Sequence, residues 1–144
     1  MKITNTILKK KLPEIEKKKI PQLKEVAEEM LRFVKSNNAI GLAANQVGIP
    51  KRMFVMSIEG EDFVCVNPIV LSESPTVSSQ EEGCLSFDKK TCEVERPVEI
   101  VVEYADIKGD IIQKTFNGIR ARCFLHELDH LNGITMFKRK SEAK

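Results

Sequence analysis

The segment His126-Glu127-Leu128-Asp129-His130 constrains this chain more than any other feature of the sequence. On an α-helix, residues four positions apart lie on one face, so His126 and His130 can direct two imidazole nitrogens at one metal ion. Glu127 can then act as a general base on a water without itself binding the metal. The alternative is a chance coincidence of spacing. Because these are the only two histidines in 144 residues, their clustering favours a metal site.

A catalytic metal usually has three protein ligands, so one more ligand must come from elsewhere in the chain. Downstream of the motif, the position at which one protease class has a third histidine holds Met136. The only later glutamate, Glu142, lies in the last three residues, where it does not match the second-helix glutamate of another protease class. The third ligand is therefore expected upstream.

Four cysteines are candidates for that ligand: Cys65, Cys84, Cys92 and Cys123. Cys123 is seven residues from His130, about 10.5 Å along a helix axis, which is too far for a metal–sulfur bond of ~2.3 Å. Cys65 lies in an apolar strand pattern typical of a buried thiol, and Cys92 lies among charges without a helper residue. Cys84 follows Gly83 in an irregular stretch and is the predicted ligand.

Composition and charge indicate an ordinary globular protein, which we expect to form a single catalytic domain over residues 1–144. The chain is 42% hydrophobic and carries a net charge of +2, which predicts no direct nucleic-acid binding. A local run of basic residues is expected to be solvated surface: Lys9, Lys10, Lys11, Lys17, Lys18 and Lys19. No apolar run approaches the ~18 residues of a membrane span, so no membrane partner is expected. The cysteines form no CxxC pair and no apolar leader is present, which favours the cytoplasm.

Apolar periodicity predicts an amphipathic helix from Pro21 to about Lys35. A β-hairpin is expected over 53–57 and 63–66, ended by Asn67-Pro68, with 69–72 as an extension of the sheet. The polar residues 73–81 are expected to form a loop. Two more strands are predicted over 98–104 and 111–116, followed by the metal helix from Asn117-Gly118 to Asn132-Gly133. Residues 1–20 show no clear period.

Three segments resemble, in order and spacing, the three motifs of peptide deformylases: Gly41-Leu-Ala-Ala-Asn-Gln46, Glu82-Gly-Cys-Leu-Ser86 and His126-Glu-Leu-Asp-His130. The resemblance implies an α+β fold in which antiparallel β-sheets surround a central HExxH helix, with the N-terminal amphipathic helix beside them. It implies a metal-dependent hydrolase that removes the formyl group from the N-terminal formyl-methionine of newly synthesised polypeptides and releases formate. It also implies one divalent metal ion, natively Fe(II) in many members, with Zn, Ni or Co as ions that the purified protein could hold.

The same resemblance implies a role for individual residues. Cys84, His126 and His130 would be the metal ligands, and Glu127 would be the general base. The Gln46 side chain and the Leu85 backbone N–H would donate hydrogen bonds to the formyl oxygen. Substrate-binding residues are implied at Ile40, Gly41, Gly83, Ile119 and Cys123. The peptide would pair as an extra strand near Ile40 and Gly83, and methionine would enter an apolar pocket. An ion pair between Glu82 and Arg96 would brace the metal loop.

The sequence departs from the family pattern at three positions. Ala39 replaces a usual glycine, Asp88 replaces a common proline, and Arg122 stands at a usually apolar helix position near the substrate pocket. The chain also ends soon after the metal motif, without the C-terminal helix of longer members. The expected partners are N-formyl-methionyl nascent peptides; the ribosome is left open as a partner, without that helix. The short form fits the cytoplasm of a bacterium or a virus-infected bacterium, with an organelle as the alternative.

Two other functions are alternatives, and the first of them shares the HExxH motif. A metalloprotease of another class would need a third ligand that this sequence lacks, and it would cut internal peptide bonds. A non-catalytic zinc module would need four ligands and no base, whereas Glu127 lies next to a predicted ligand.

Overall fold

The computed structural model describes residues 1–139 of the chain. Within this range there are two α-helices, α1 over Lys24–Ser36 and α2 over Gly118–Leu131. Short 3-10 helices cover Lys17–Leu23, Ala44–Val47 and Met136–Lys138. The strands are β1 (Gly41–Ala43), β2 (Met53–Ile58), β3 (Glu61–Glu73), β4 (Val77–Cys84), β5 (Phe87–Pro97), β6 (Glu99–Ala105) and β7 (Ile111–Asn117).

The strands form two antiparallel sheets. Five strands make one sheet in the order β1-β2-β3-β6-β7, and β4 pairs with β5 as a separate two-stranded sheet. This is the expected α+β fold with antiparallel sheets around the HExxH helix and an N-terminal amphipathic helix.

The five-stranded sheet is covered on both faces, which explains why β2 is almost continuously apolar. Phe54 and Met56 point to the side of α2 and pack in one core cluster with Phe124. Their neighbours Met53 and Val55 point to the other side, into a second cluster with residues of α1. Because side chains alternate along a strand, β2 contributes apolar side chains to both core clusters.

Helix α1 buries the predicted apolar stripe through Ala27, Met30 and Val34. Its start differs from the prediction. Pro21 lies inside the preceding 3-10 helix, and the α-helix begins three residues later at Lys24. Pro21 therefore does not occupy the first turn of α1.

Strand β3 continues through the predicted stop at Asn67-Pro68, with a register shift between Val66 and Ile69. Asn67 adopts a positive φ of 51° at this bulge. Its side chain exchanges two hydrogen bonds of 2.8 Å with the backbone of Ile15, which fixes the N-terminal segment against the sheet. The expected extension over 69–72 is therefore confirmed as part of one long strand.

The predicted loop over 73–81 is wrong in its second half, because β4 begins at Val77 and pairs with β5. β5 also went unpredicted. In β4 only Glu82 is fully buried, so the strand lacks the apolar alternation by which a strand is recognised. Strands β6 and β7 and helix α2 lie within two residues of their predicted bounds. Among residues 1–139, no helix is long and apolar enough to cross a membrane.

Candidate active site

Cys84, His126 and His130 come together at the end of β4 and in the C-terminal half of α2. Each offers one ligand atom, and these atoms all lie within 4.8 Å of one another. The Cys84 Sγ is 3.3 Å from Nε2 of His130. Both histidines are buried and Cys84 is half-buried. This geometry suits a metal ion bound by one thiolate and two imidazoles.

Local structure explains how residues distant in sequence meet here. The i, i+4 spacing within α2 brings the two imidazole rings together edge to face, with centroids 5.0 Å apart and planes at 75°. The β4–β5 register shifts between Gly83 and Cys84, so the strand leaves its regular path at the cysteine. The predicted irregularity is thus a register break at a strand end.

The other three cysteines lie outside this cluster. Cys65 and Cys123 are buried, and burial raises the pKa of both thiols well above the ordinary value. The Cys92 Sγ lies 3.4 Å from the carbonyl oxygen of Met136. The geometry therefore agrees with the choice of Cys84 among the four cysteines.

The carboxylate of Glu82 accepts hydrogen bonds from three side chains. Arg96 donates from Nε at 2.6 Å and from Nη2 at 2.9 Å, Arg122 donates from Nη1 at 2.6 Å, and Nδ1 of His126 lies 2.7 Å from Oε1. Burial would raise the pKa of Glu82, but hydrogen bonds from Arg96 and His126 outweigh it and lower the pKa to about 2. The predicted Glu82–Arg96 ion pair is confirmed, and it is buried and bidentate.

Asp129 extends this network to the C-terminal segment. It accepts a hydrogen bond from Nη1 of Arg96 at 2.9 Å and two from Arg139, at 3.2 and 3.1 Å. Neither Asp129 nor Arg139 was predicted as a site residue from the sequence. Asp129 lies at one of the variable positions inside the HExxH segment, and only the structure shows its partners.

Gln46 places its amide beside the predicted ligands. Its Oε1 accepts the backbone N–H of Ala43 at 2.9 Å, and its Nε2 lies 3.3 Å from Cys84 Sγ and 3.0 Å from Ser86 Oγ. The side chain is 1% exposed, so its orientation is fixed by these contacts. Ser86 was not predicted as a partner of Gln46, although the residue belongs to the second motif.

Asn45 was also missed. Its Nδ2 donates to the backbone oxygen of His130 at 2.6 Å, which ties the first motif to the end of α2.

Glu127 is buried, and its Oε1 has no hydrogen-bond partner among the described residues. Burial raises the pKa of Glu127 to about 7, against the opposing charge of His126. Gly41 approaches closely, since a Cβ there would lie 2.7 Å from both Glu127 Oε2 and Cys123 Sγ. A side chain at position 41 would therefore displace the Glu127 carboxylate or the Cys123 thiol.

Burial also lowers the pKa of His130, to about 3, and the neighbouring His126 adds to the shift. A neutral imidazole is the form that binds metal ions.

A groove of about 490 Å³ runs over this cluster. All five predicted substrate-binding residues line it: Ile40, Gly41, Gly83, Ile119 and Cys123. Gln46, Leu85, Cys84, His126 and Glu127 line it as well, whereas His130 does not. The groove lies between β1, which is an edge strand of the larger sheet, and β4.

The departures from the family pattern fall beside this groove. The backbone φ of Ala39 is not positive. The left-handed conformation occurs instead at its neighbour Asn38, with a φ of 54°. Alanine at position 39 therefore carries no backbone strain. Asp88 and Arg122 both line the groove.

Comparison with known proteins identifies the family to which the chain belongs. The family model described as polypeptide deformylase matches residues 1–144. The peptide deformylase of Finegoldia magna is 41% identical over 130 residues, which are 89% of this chain and 80% of that protein.

Two solved structures are similar over almost their whole length. The crystal structure of peptide deformylase from Thermotoga maritima has a TM-score of 0.93 and 35% identity, and the match covers 98% of this chain and 97% of that one. The class I type b peptide deformylase from Acinetobacter baumannii with Met-Ala-Ser bound has a TM-score of 0.91 and 30% identity, with 96% and 97% covered. The chain therefore belongs to the metal-dependent peptide deformylases, hydrolases that remove the formyl group from the N-terminus of newly synthesised polypeptides.

Proposed function

We propose that Cys84, His126 and His130 bind the metal ion of this deformylase and that Glu127 is its general base. The observation that carries the proposal is the convergence of three donor atoms within 4.8 Å beside a buried carboxylate oxygen that lacks a partner. Among residues 1–139, this group offers three ligands, the number typical of a catalytic site, whereas a structural zinc site has four.

The donor set fits a divalent late first-row ion. Nδ1 of His126 contacts the ionised Glu82, so this ring presents Nε2 to the cluster, and such a carboxylate partner fixes the tautomer of a ligand histidine. When bound, the ion supplies Lewis acidity, which makes water more acidic and polarises the formyl carbonyl. We propose Fe(II) as the native ion, with Zn, Ni or Co accepted by the same thiolate and imidazoles.

Glu127 would move the protons of the reaction. Its carboxylate takes a proton from the attacking water and returns it to the amine that leaves as formate is released. Close packing against Gly41 holds this carboxylate at the groove, and its Oε1 has no protein partner and can accept a proton.

Gln46 and Leu85 would stabilise the charge that develops on the formyl oxygen. The Nε2 of Gln46 lies beside Cys84, and Leu85 directly follows Cys84 at the same groove. Donors that are already in position cost no reorganisation during the reaction.

The peptide would bind along the groove as an additional strand. β1 pairs with β2 on one edge only, and β4 pairs with β5 on one edge only, so backbone near Ile40 and Gly83 faces the groove between them. Such pairing sets the register of the peptide. The methionine side chain would pack against Ile40, Ile119 and Cys123. The bound Met-Ala-Ser of the A. baumannii relative supports a peptide of this kind as the ligand.

We further propose that residues 1–144 act as a single catalytic domain on N-formyl-methionyl nascent chains in the cytoplasm. The family model matches this whole range. Four cysteines without a CxxC pair suit a reducing compartment.

The test is formate release from formyl-Met-Ala-Ser, with elemental analysis of the same sample. Cys84→Ser should lose both bound metal and activity, because a serine hydroxyl is a poor ligand for these ions. Cys65→Ala, a buried cysteine outside the cluster, is the matched control and should keep both. Full metal content and turnover in Cys84→Ser would contradict the ligand assignment, and cleavage of internal peptide bonds would contradict the substrate assignment.

A further inference from the structure

Arg122 places a guanidinium, ion-paired with Glu82, at the groove beside apolar walls. It belongs to α2, and its side chain is only 11% exposed. The groove that it lines also contacts Ile40, Ile119 and Cys123, the residues proposed to receive the first side chain of the substrate. This end of the groove is therefore not uniformly apolar.

The position of the guanidinium is held by three hydrogen bonds. Nη1 donates to Glu82 Oε2 at 2.6 Å and to the backbone oxygen of Val94 at 2.9 Å, and Nη2 donates to the backbone oxygen of Ser78 at 2.7 Å. Two of the acceptors belong to the backbone of β4 and β5, so the side chain bridges both strands of the hairpin to α2. A group fixed in this way loses little conformational entropy when it binds a ligand.

Two N–H groups of Arg122 remain for a ligand. A guanidinium carries five N–H donors, and the three hydrogen bonds use two on Nη1 and one on Nη2. The other two, on Nε and Nη2, have no acceptor among residues 1–139. An acceptor atom on the substrate side chain could receive hydrogen bonds from these two N–H groups.

We propose that Arg122 is a specificity-determining residue that allows this enzyme to deformylate peptides beginning with formyl-methionine sulfoxide as well as formyl-methionine. The inference rests on the proposed placement of the substrate in the groove. A thioether sulfur is a weak hydrogen-bond acceptor, whereas the sulfoxide oxygen formed by methionine oxidation is polar and accepts strongly. Arg122 donates to that oxygen, and the sulfoxide is bound without being reduced.

The wild-type enzyme gives the first test. In a wholly apolar pocket, the sulfoxide would be buried without a partner and kcat/KM would fall by about tenfold or more. With Arg122 as donor, at least one sulfoxide epimer of formyl-Met(O)-Ala-Ser should have a kcat/KM within about threefold of that for formyl-Met-Ala-Ser. A penalty of about tenfold or more for both epimers overturns the inference.

Arg122→Leu gives the second test. Because Arg122 also contacts Glu82, this variant can lose metal, so the two peptides are mixed and compete in one reaction. Their rate ratio does not depend on the fraction of active enzyme. The ratio should shift towards the unoxidised peptide by on the order of tenfold, the contribution of one hydrogen bond from a charged donor.

Arg120→Leu is the matched control, because Arg120 lies on the same helix but pairs with Glu59 and Glu61 at the surface. It should leave the ratio unchanged. An unchanged ratio in Arg122→Leu overturns the inference while the proposed function stands. Absence of formate from both peptides with wild-type enzyme contradicts the proposed function itself.

Discussion

Glu82 Oε1 lies 2.7 Å from Nδ1 of His126, and this contact joins a predicted metal ligand to a buried ion network. The same carboxylate is held by Arg96 and Arg122, which keep it ionised. A histidine whose Nδ1 proton is held by a carboxylate has one tautomer and one ring orientation. The position of His126 therefore depends on residues that do not touch the metal.

Arg96→Ala should weaken metal retention and lower stability, because it leaves the buried charges of Glu82 and Asp129 without their shared partner. Breaking a buried pair costs about 3–5 kcal/mol, which in a protein of this size lowers Tm by on the order of 10 °C. Thermal unfolding and metal analysis measure the two effects, and preference for methionine should not change.

Lys35→Ala is the control for Arg96→Ala, since Lys35 pairs with Asp62 at the surface and such pairs contribute about 0–1 kcal/mol. Equal Tm values for wild type and Arg96→Ala would show that the buried pair does not brace the site.

The protein should lose stability in alkali through Tyr104. Burial raises the pKa of this phenol, and the nearby Cys65 and Asp106 add to the shift. In the unfolded chain the pKa is about 10, so the contribution to stability is complete below about pH 10 and is lost as pH rises towards the folded pKa. Tyr104→Phe should remove this part of the alkaline loss in denaturant titrations.

The chain has one tyrosine and no tryptophan, so tyrosinate absorbance in the near ultraviolet reports Tyr104 alone. If Tyr104 ionises at the same pH in the folded and the denatured protein, this account of Tyr104 is wrong.

Metal identity should control both rate and durability. The Fe(II) form is expected to be fast and to lose activity in air, because oxygen can oxidise the iron and the Cys84 thiolate. Zinc has no redox chemistry and should give a slower, durable enzyme, and Ni(II) should be active without air sensitivity. The apoprotein is reloaded with each ion without oxygen, and formate release is followed before and after exposure to air. Equal decay of all three forms would rule out iron oxidation as the cause.

The sequence predicted the parts of the molecule in which one local pattern decides the structure. The spacing of His126 and His130 predicted both helix α2 and the pairing of their imidazoles, and apolar alternation predicted β2, β6 and β7. Elimination among the cysteines led to Cys84, which lies beside both histidines.

The rest depends on contacts between distant polar residues. In the β4–β5 pair, the buried charged residues Glu82 and Arg96 stabilise each other, and Glu82 is the one fully buried residue of β4. The position of the N-terminal segment is set by the hydrogen bonds between Ile15 and Asn67 on the sheet. Its apolar residues show no helical or strand periodicity from which this could be predicted. Asp129 and Arg139 lie ten positions apart. Their hydrogen bond belongs to the site only because Asp129 also binds Arg96.

The most direct test of the assigned chemistry is turnover and bound metal measured on one sample of Glu127→Ala. Glu127 moves protons and does not bind the ion, so this variant should keep the metal content of wild type. Its rate of formate release from formyl-Met-Ala-Ser should fall by about two to four orders of magnitude, the contribution of a general acid–base residue. Glu25→Ala, at an exposed position of α1, should match wild type in both measurements. A Glu127→Ala enzyme with its metal intact and a wild-type rate would contradict the account.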